Sequence, residues 1–561
     1  MKNSTVCVGI LMAAILVCLT SSANAGAQIS KHEYNILDYG ATRDGNTLNT
    51  AAINKAIKTC AESGGGTVII SPGKYLSGPI EILSNVTLHL ESGATIKGSS
   101  KLEDYAVEQV RASGESARAG LVTARDANNV AITGGGVIDG SGMDFVYPDK
   151  IHTGSDYDKK FTRQKENFMN PRYGTQHGPL AHGERPGNLV RLLNCRGVLI
   201  SGVIIQNSPT WTVQIARCKN VNIFGVNINS FASGRRVPND DGIDLVNSSF
   251  VHISGCDIQT GDDCIAVFGS EKLTVSNCTL SSRSSGIRVG FNRGNIKDCT
   301  FSNLVIHTSN RGLGVFVRGA GSIENVLFSD IAIQTQLFTG HWWGKGEPIH
   351  VSAMPWDPNT SKIGHIKDVR FSNIIAESES GILVYGCKES VIKNLSFENI
   401  KVKIKNSPLN SSYGGNFDLR STSNMATAMF EHDIPAMYCS YVEGLNIHGM
   451  DLECDGNLPA FFSHGIQCEH FRNIDIDGFR GRQPHAGDNR AAIAVNDGSG
   501  VTIRNCRAGE GTGVFLSCSA IKDERLFANN DLSSAKKAFE PAAAGFKLFG
   551  NVLPVEGGEK K

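Results

Sequence analysis

The sequence predicts an all-β fold, a single-stranded right-handed parallel β-helix closed at its N-terminal end by one helix. Three observations carry this. A short phrase of alternating apolar residues, a polar or Gly turn and a second short apolar run recurs along most of the chain, at Gly197–Val203, Asn220–Val226, Phe250–Cys256, Lys272–Cys278, Ile323–Phe328, Ile366–Phe371, Val391–Leu395 and Val501–Cys506. The usual spacing, roughly 20–25 residues, lies in the range of a solenoid repeat. Gly is frequent, 62 of 561 residues, as a chain turning several times per repeat requires. One such unit cannot bury its own apolar face, whereas stacked coils can, with neighbouring strands about 4.8 Å apart. A β-sandwich would show turns about every 8–12 residues and no repeated phrase.

The elements follow in chain order. Lys2, an apolar run from Val6 to Leu19 and the small-x-small triplet Ala23-Asn24-Ala25 read as a cleaved export signal over residues 1–25. The mature chain, 26–561, is then expected to be secreted or periplasmic. No later stretch is apolar enough to span a bilayer. From Asn49 to Ser63, Ala51, Ala52, Ile53, Ala56, Ile57 and Cys60 follow a helical period, which Gly64-Gly65-Gly66 ends. A helix there would cover the open end of the solenoid and its unpaired edges. Residues 405–441 interrupt the repeat as a loop insertion over one face. The weaker pattern of 524–561 reads as a C-terminal cap.

Lys plus Arg balances Asp plus Glu at 54 each, so the basic excess of a nucleic-acid binder is missing. Thirteen of the 15 cysteines lie beyond the signal, an odd number, so at least one is unpaired or pairs with another chain. Cys195, Cys218, Cys256, Cys278 and Cys299 fall at similar places in successive repeats and read as one ladder of small buried side chains. No C-x-x-C pair suggests zinc.

The chemistry concentrates in two neighbouring repeats. Asn239-Asp240-Asp241-Gly242-Ile243-Asp244 is followed by Gly261-Asp262-Asp263-Cys264, with Asp262 twenty-one residues after Asp241. One coil of separation sets Asp241 beside the Asp262/Asp263 pair on one face. Crowded carboxylates raise one another's pKa, as acid–base catalysis at a glycosidic bond requires. Single Asp and Asn residues also stabilise turns, but that reading explains three carboxylates in register poorly. Trp342, Trp343 and Trp356 suit the apolar faces of sugar rings.

Asp38-Tyr39-Gly40-Ala41, Gly64-Gly65-Gly66-Thr67-Val68, Ile132–Gly140, Arg185-Pro186, Asn207-Ser208-Pro209-Thr210-Trp211 and the two aspartate motifs resemble the polygalacturonase family, glycoside hydrolase family 28, over roughly residues 33 to 400. The resemblance implies a pectin-lyase-like solenoid that hydrolyses a galacturonan or rhamnogalacturonan by inversion, without metal or organic cofactor. Asp262 would be the general acid, and Asp241 and Asp263 would hold and deprotonate the water. This chain departs from the family in two places. Ser285 stands where a Gly-His-Gly motif carries its His, and Gly314 and Phe316 stand where an Arg-Ile-Lys motif carries its cations. Asn239, Arg288, Ser285, Arg318, Trp342, Trp343, Lys345 and Arg420 are the expected substrate contacts. The expected partner is an acidic or neutral plant-type polysaccharide, met by a monomer, and the insertion could close one end of the groove. A β-helix lyase with Arg288 as base, or a non-catalytic carbohydrate-binding β-helix, are the alternatives.

Overall fold

The structure, a computed structural model, describes residues 32–554 apart from 108–117, 155, 175–176, 231–235, 292–293, 360–361 and 542–544. The export signal lies outside the described residues.

The chain winds as a parallel β-helix. Alternation of apolar and polar residues turns one side of each strand inward, and every coil pairs in parallel with the next. The strands Val190–Leu193, Val213–Ala216, Ile243–Val246, Ile265–Phe268, Ser285–Phe291, Arg311–Val317, Ile349–Ala353 and Ile382–Tyr385 stack in that order into one wall. A second wall includes Arg196–Ser201, Lys219–Phe224, Ser249–Ser254 and Glu271–Ser276, and a third includes Ile204–Gln206, Asn227–Asn229, Asp257–Thr260 and Thr279–Ser282.

The register turns sequence repeats into columns of side chains. Ile200, Ile223, Ile253, Val275, Phe301, Phe328, Phe371 and Phe397 form one inward column. Its four Phe rings stack at 4.8, 4.9 and 5.1 Å between centroids, close to the spacing of the strands that carry them. Phe328→Ala leaves a cavity between two rings held apart by the backbone. It should cost about 3–5 kcal/mol, measured as a fall in the denaturant midpoint at unchanged slope.

At exposed corners Asn325, Asn373 and Asn394 adopt left-handed φ of 54°, 53° and 51°. Their amides donate to Asp298, Asp330 and Asp368 of the preceding coil at 2.6, 3.0 and 2.8 Å. Asn and Asp tolerate this conformation better than other residues with a Cβ. The turn role of Asp is therefore real in this chain, but at these corners.

The helix Thr50–Glu62 buries Ile53, Ala56, Ile57 and Cys60 in the same core as the first coils, while Ala51 faces solvent. The expected cysteine ladder divides. Cys195 and Cys218 share one column, where the Cys195 amide donates to Cys218 Sγ at 3.3 Å and Ser248 and Ser270 continue the row. Cys299 instead pairs with Leu273 on a wall strand. The thirteen described cysteines are all free thiols. The tail after 524 continues the solenoid: Ala535–Glu540 and Lys547–Phe549 add in parallel to Thr512–Ala528.

The insertion after Ile404 is ordered. It contains the short helices Asn410–Tyr413 and Met425–Ala428 and an antiparallel pair, Asn416–Asp418 with Met429–Glu431, and the wall resumes at Met437. It packs on the segment before the strand Val190–Leu193, with Tyr157, Phe168, Leu337, Tyr413, Ala428 and Met429 in a satellite core. Among the described residues no helix is long and apolar enough to cross a membrane.

Candidate active site

A cleft of about 960 Å³ lies on the first wall, where the outward row reads Gln214, Asp244, Ala266, Arg288, Gly314, His350. Just before these strands the chain turns in from the preceding corner. Ile243 pairs with Ile265 and Ser285 with Arg311, so Asp241, Asp263, Ser285 and Arg311 follow one another coil by coil. Asp241, Asp262 and Asp263 converge, and one oxygen from each lies within 4.8 Å of the others.

The surroundings fix each carboxylate. Asp240 is fully buried and accepts the amides of Gly261 and Asp262 at 2.7 and 2.9 Å, so it holds the turn that presents Asp262. Burial, only partly offset by the nearby Arg236 guanidinium, raises its pKa to about 6. Asp262 O accepts from Ser282 Oγ at 2.6 Å. Asp263 Oδ1 accepts from Ser284 Oγ at 2.7 Å and from the Ser285 amide at 2.9 Å, and its Oδ2 accepts from Arg288 Nε. Arg288 Nη2 is also 3.7 Å from Asp241 Oδ2.

These contacts separate the three acids electrostatically. Burial and the neighbouring Asp263 charge push Asp262 up to about 8. Burial would also raise Asp263, but Arg288 and the hydrogen bonds from Ser284 and the Ser285 amide outweigh it and hold it below the ordinary carboxylate value. Burial and the nearby Asp262 carboxylate raise Asp241 well above that value. The cluster therefore keeps one ionised carboxylate beside carboxyls that retain a proton near neutral pH.

Aromatic rings line the cleft. Trp211 stacks on Phe268 at 5.7 Å, Phe291 meets Trp356 edge-on at 6.1 Å, and Phe316 and Trp343 complete the lining. A strap from the insertion crosses the wall. Arg318 Nη2 donates to Leu419 O at 3.1 Å from below. On one side Arg420 Nη2 donates to Trp342 O at 2.6 Å; on the other, Thr422 Oγ1 and the Ser423 amide donate to Trp356 O at 2.9 and 2.7 Å. The cleft is thus bounded on its C-terminal side.

Of the expected contacts, Asn239, Arg288, Arg318, Trp343 and Arg420 line the cleft with the three aspartates. Asn239 Oδ1 accepts from Arg185 at 3.2 Å. Arg420 is committed to Asp418 and Asp156, at 2.7 and 3.2 Å, so it anchors the strap. Three of the expected contacts are not part of the cleft lining. Trp342 is buried in the loop and only Trp343 faces the cleft. Lys345 turns inward, with Nζ donating to Gly344 O at 2.9 Å and lying over the Phe168 and Tyr413 rings. Ser285 is fully buried and meets Asp263 through its amide. Arg311, Phe268, Phe291, Phe316 and Lys362 line the cleft without having been expected there. Extending the column Asp241–Asp263–Ser285 by one coil would have found Arg311.

The profile described as Glycosyl hydrolases family 28 matches residues 60–414, more than half of the chain. The chain belongs to glycosyl hydrolases family 28. Among curated relatives of this family-28 hydrolase, a probable polygalacturonase of Vitis vinifera is 25% identical over 376 residues, covering 62% of this chain and 70% of that one. An exo-poly-alpha-D-galacturonosidase of Dickeya chrysanthemi is 29% identical over 258 residues, covering 41% of each. Among solved structures, an exopolygalacturonase of Thermotoga maritima superposes with a TM-score of 0.51 at 25% identity over 67% of this chain and 88% of that one. A Yersinia enterocolitica family 28 exopolygalacturonase superposes with a TM-score of 0.57 at 20% identity over 80% and 78%, a likeness of fold.

The alternative of a lyase with Arg288 as base fits this site poorly. Burial alone would lower the Arg288 pKa, but Asp263 and Asp241 outweigh it and hold the guanidinium above its ordinary value, which opposes loss of a proton.

Proposed function

We propose that this glycoside hydrolase cleaves a galacturonan-type pectic polysaccharide from a chain end, with Asp262 as general acid and a water held between Asp241 and Asp263. The observation that carries the reading is the convergence of buried Asp241 and Asp263 with half-buried Asp262, which is pushed up to about 8 at the mouth of an aromatic-lined cleft. Asp262 would protonate the leaving glycosidic oxygen, and the departing alcohol would carry that proton away. Water adds to the anomeric carbon and yields its proton to the trio, so the bond made and the bond broken balance.

The oxygens, within 4.8 Å of one another, lie closer than the about 6.5–9.5 Å usual for inverting pairs. Inversion is still favoured by the bonding of Asp263. Both of its oxygens are engaged by Arg288, Ser284 and the Ser285 amide, so covalent attack would first break those contacts. The anomeric configuration of the first product, followed by NMR before mutarotation, decides between inversion and retention.

End-on action is favoured by the strap Leu419–Ser423, which blocks the cleft on one side. A hydrolase of polymeric pectin must also meet its substrate outside the cytoplasm, in agreement with the export signal read in residues 1–25. The test is a screen on pectic polymers that reads reducing sugar, solution viscosity and ultraviolet absorbance together. Reducing ends that accumulate with little loss of viscosity and no absorbance are expected. Absorbance would mean elimination, and an early fall in viscosity would mean attack within chains.

A further inference from the structure

Next to the trio lies a group of buried polar atoms that the hydrolytic mechanism does not use. Ser285 Oγ, both ring nitrogens of His350, Arg311 Nε and Arg318 Nε are buried without a hydrogen-bond partner among the described residues. All surround the Phe316 ring. His350 meets it edge-on at 4.9 Å between centroids, and the guanidinium carbons of Arg311 and Arg318 lie 5.1 and 5.4 Å from its centre. A Cβ on Gly314 would sit 2.7 Å from the Phe316 ring and 3.4 Å from Ser285 Oγ. The ring therefore fills the space that the missing side chain at 314 leaves, directly over the unmatched atoms.

Each of these groups is unfavourable while it stays buried and unmatched. An aromatic ring can satisfy none of them fully. Arg318 bonds Val317 O, Ser352 O, Ser352 Oγ and Leu419 O, and it has no carboxylate in ion-pair range among the described residues. Arg311 Nε is 3.6 Å from Glu347 Oε2, beyond hydrogen-bond reach. Two guanidinium donors, a hydroxyl and an imidazole N–H would match the acceptor sites of one carboxylate. The column register puts Ser285 one coil, Arg311 and Arg318 two coils and His350 three coils from Asp263, so the group lies about 5–15 Å along the wall. That is the distance of a sugar bound next to the scissile bond.

We propose that Phe316 is a gate over a carboxylate seat formed by Arg311, Arg318, His350 and Ser285, and that the ring swings out when a uronate carboxylate enters. The proposal rests on the reading that the substrate is a uronic-acid polymer. It also accounts for the exchange of a cationic pair for Gly314 and Phe316: the small residue makes room for the ring, and the ring covers cations supplied from Arg311 and Arg318 instead.

The experiment is calorimetric titration of the whole chain with D-galacturonate and with D-galactose, which reads binding apart from cleavage. A closed gate lowers apparent affinity by the fraction of open protein. Phe316→Ala and Phe316→Leu should therefore bind galacturonate more tightly, by about fivefold or more, with no gain for galactose. Arg318→Gln should abolish the gain. Unchanged or weaker galacturonate binding in both Phe316 variants, as a simple stacking platform would give, or an equal gain for galactose, overturns the proposal. A second measurement needs no change of size: a fluorine-labelled Phe placed at 316 should shift its resonance on saturation with galacturonate and not with galactose, and an unmoved resonance overturns the gate. Protein that binds galacturonate in this way but cleaves no pectic polymer would refute the hydrolytic reading and leave the seat intact. Cleavage of galacturonan with an unmoved Phe316 would do the reverse.

Discussion

Asp262→Asn is expected to lower hydrolysis by about 10²–10⁴-fold, the usual contribution of a positioned general acid. The amide keeps the shape of the side chain but has no proton of suitable acidity. It also removes a half-buried carboxyl from a crowded site, so the variant should be at least as stable as the parent at pH 8 and above. The direction follows from the shift. The pKa of Asp262 is raised on folding to about 8, so the folded state binds the proton more tightly than the unfolded state. Stability is full below the ordinary carboxylate pKa and is lost as pH rises from there through the folded value. The same proton is needed at the leaving oxygen, so parent activity should fall on the alkaline side as Asp262 ionises. Rates and denaturation midpoints across pH test both statements. An Asp262→Asn enzyme within tenfold of the parent would remove Asp262 from the acid role.

Arg288→Met should be the most costly substitution for stability at this site. The guanidinium bonds Asp263 and lies 3.7 Å from Asp241, and it is the cation that the fold places between these two buried acids. Removing one member of a buried charged pair costs about 3–5 kcal/mol, because the remaining charge is stranded. Met keeps much of the packing over Phe268, where Arg288 Cζ lies 4.3 Å from the ring centre. Asp263 then loses the partner that holds its pKa down. In the parent the folded value is below the unfolded one, so Asp263 contributes stability above the ordinary carboxylate pKa and loses it as pH falls through the folded value. In the variant that contribution disappears, and the acid limb of the rate profile moves to higher pH. A variant as stable as the parent, with an unmoved acid limb, would show that Arg288 neither balances nor tunes the trio.

The roles of the remaining acids divide along the same lines. Asp240 touches backbone amides of the Asp262 turn and acts by positioning. Asp244 lies on the wall strand Ile243–Val246, in the outward row below Arg288, rather than in a turn. Its charge adds to the field that raises Asp241 and to the one that favours charged Arg288.

The repeat, the capping helix and the carboxylate trio were legible in the sequence, because each depends on spacing along the chain. A period of two assigns the inward face of every strand, and a 3.6-residue period assigns the buried face of Thr50–Glu62. A twenty-one-residue interval returns Asp262 to the side of Asp241 once the chain is known to coil. What the sequence could not assign depends on how segments of unequal length pack against one another. Coils differ in length, so the cysteines fell into separate columns rather than one ladder. Trp342 and Trp343 are neighbours with the same chemistry. Packing of their loop against the Phe168–Tyr413 cluster turns Lys345 inward and leaves Trp343 as the ring that faces the cleft. Arg311 reaches the cleft through one further coil of register, and Arg420, an expected contact, proves to be tied to Asp418 and Asp156 as the anchor of the strap. The local periodicity of the sequence therefore determined the solenoid and its row of acids, while long-range packing of the insertions decided which cations and rings face the substrate.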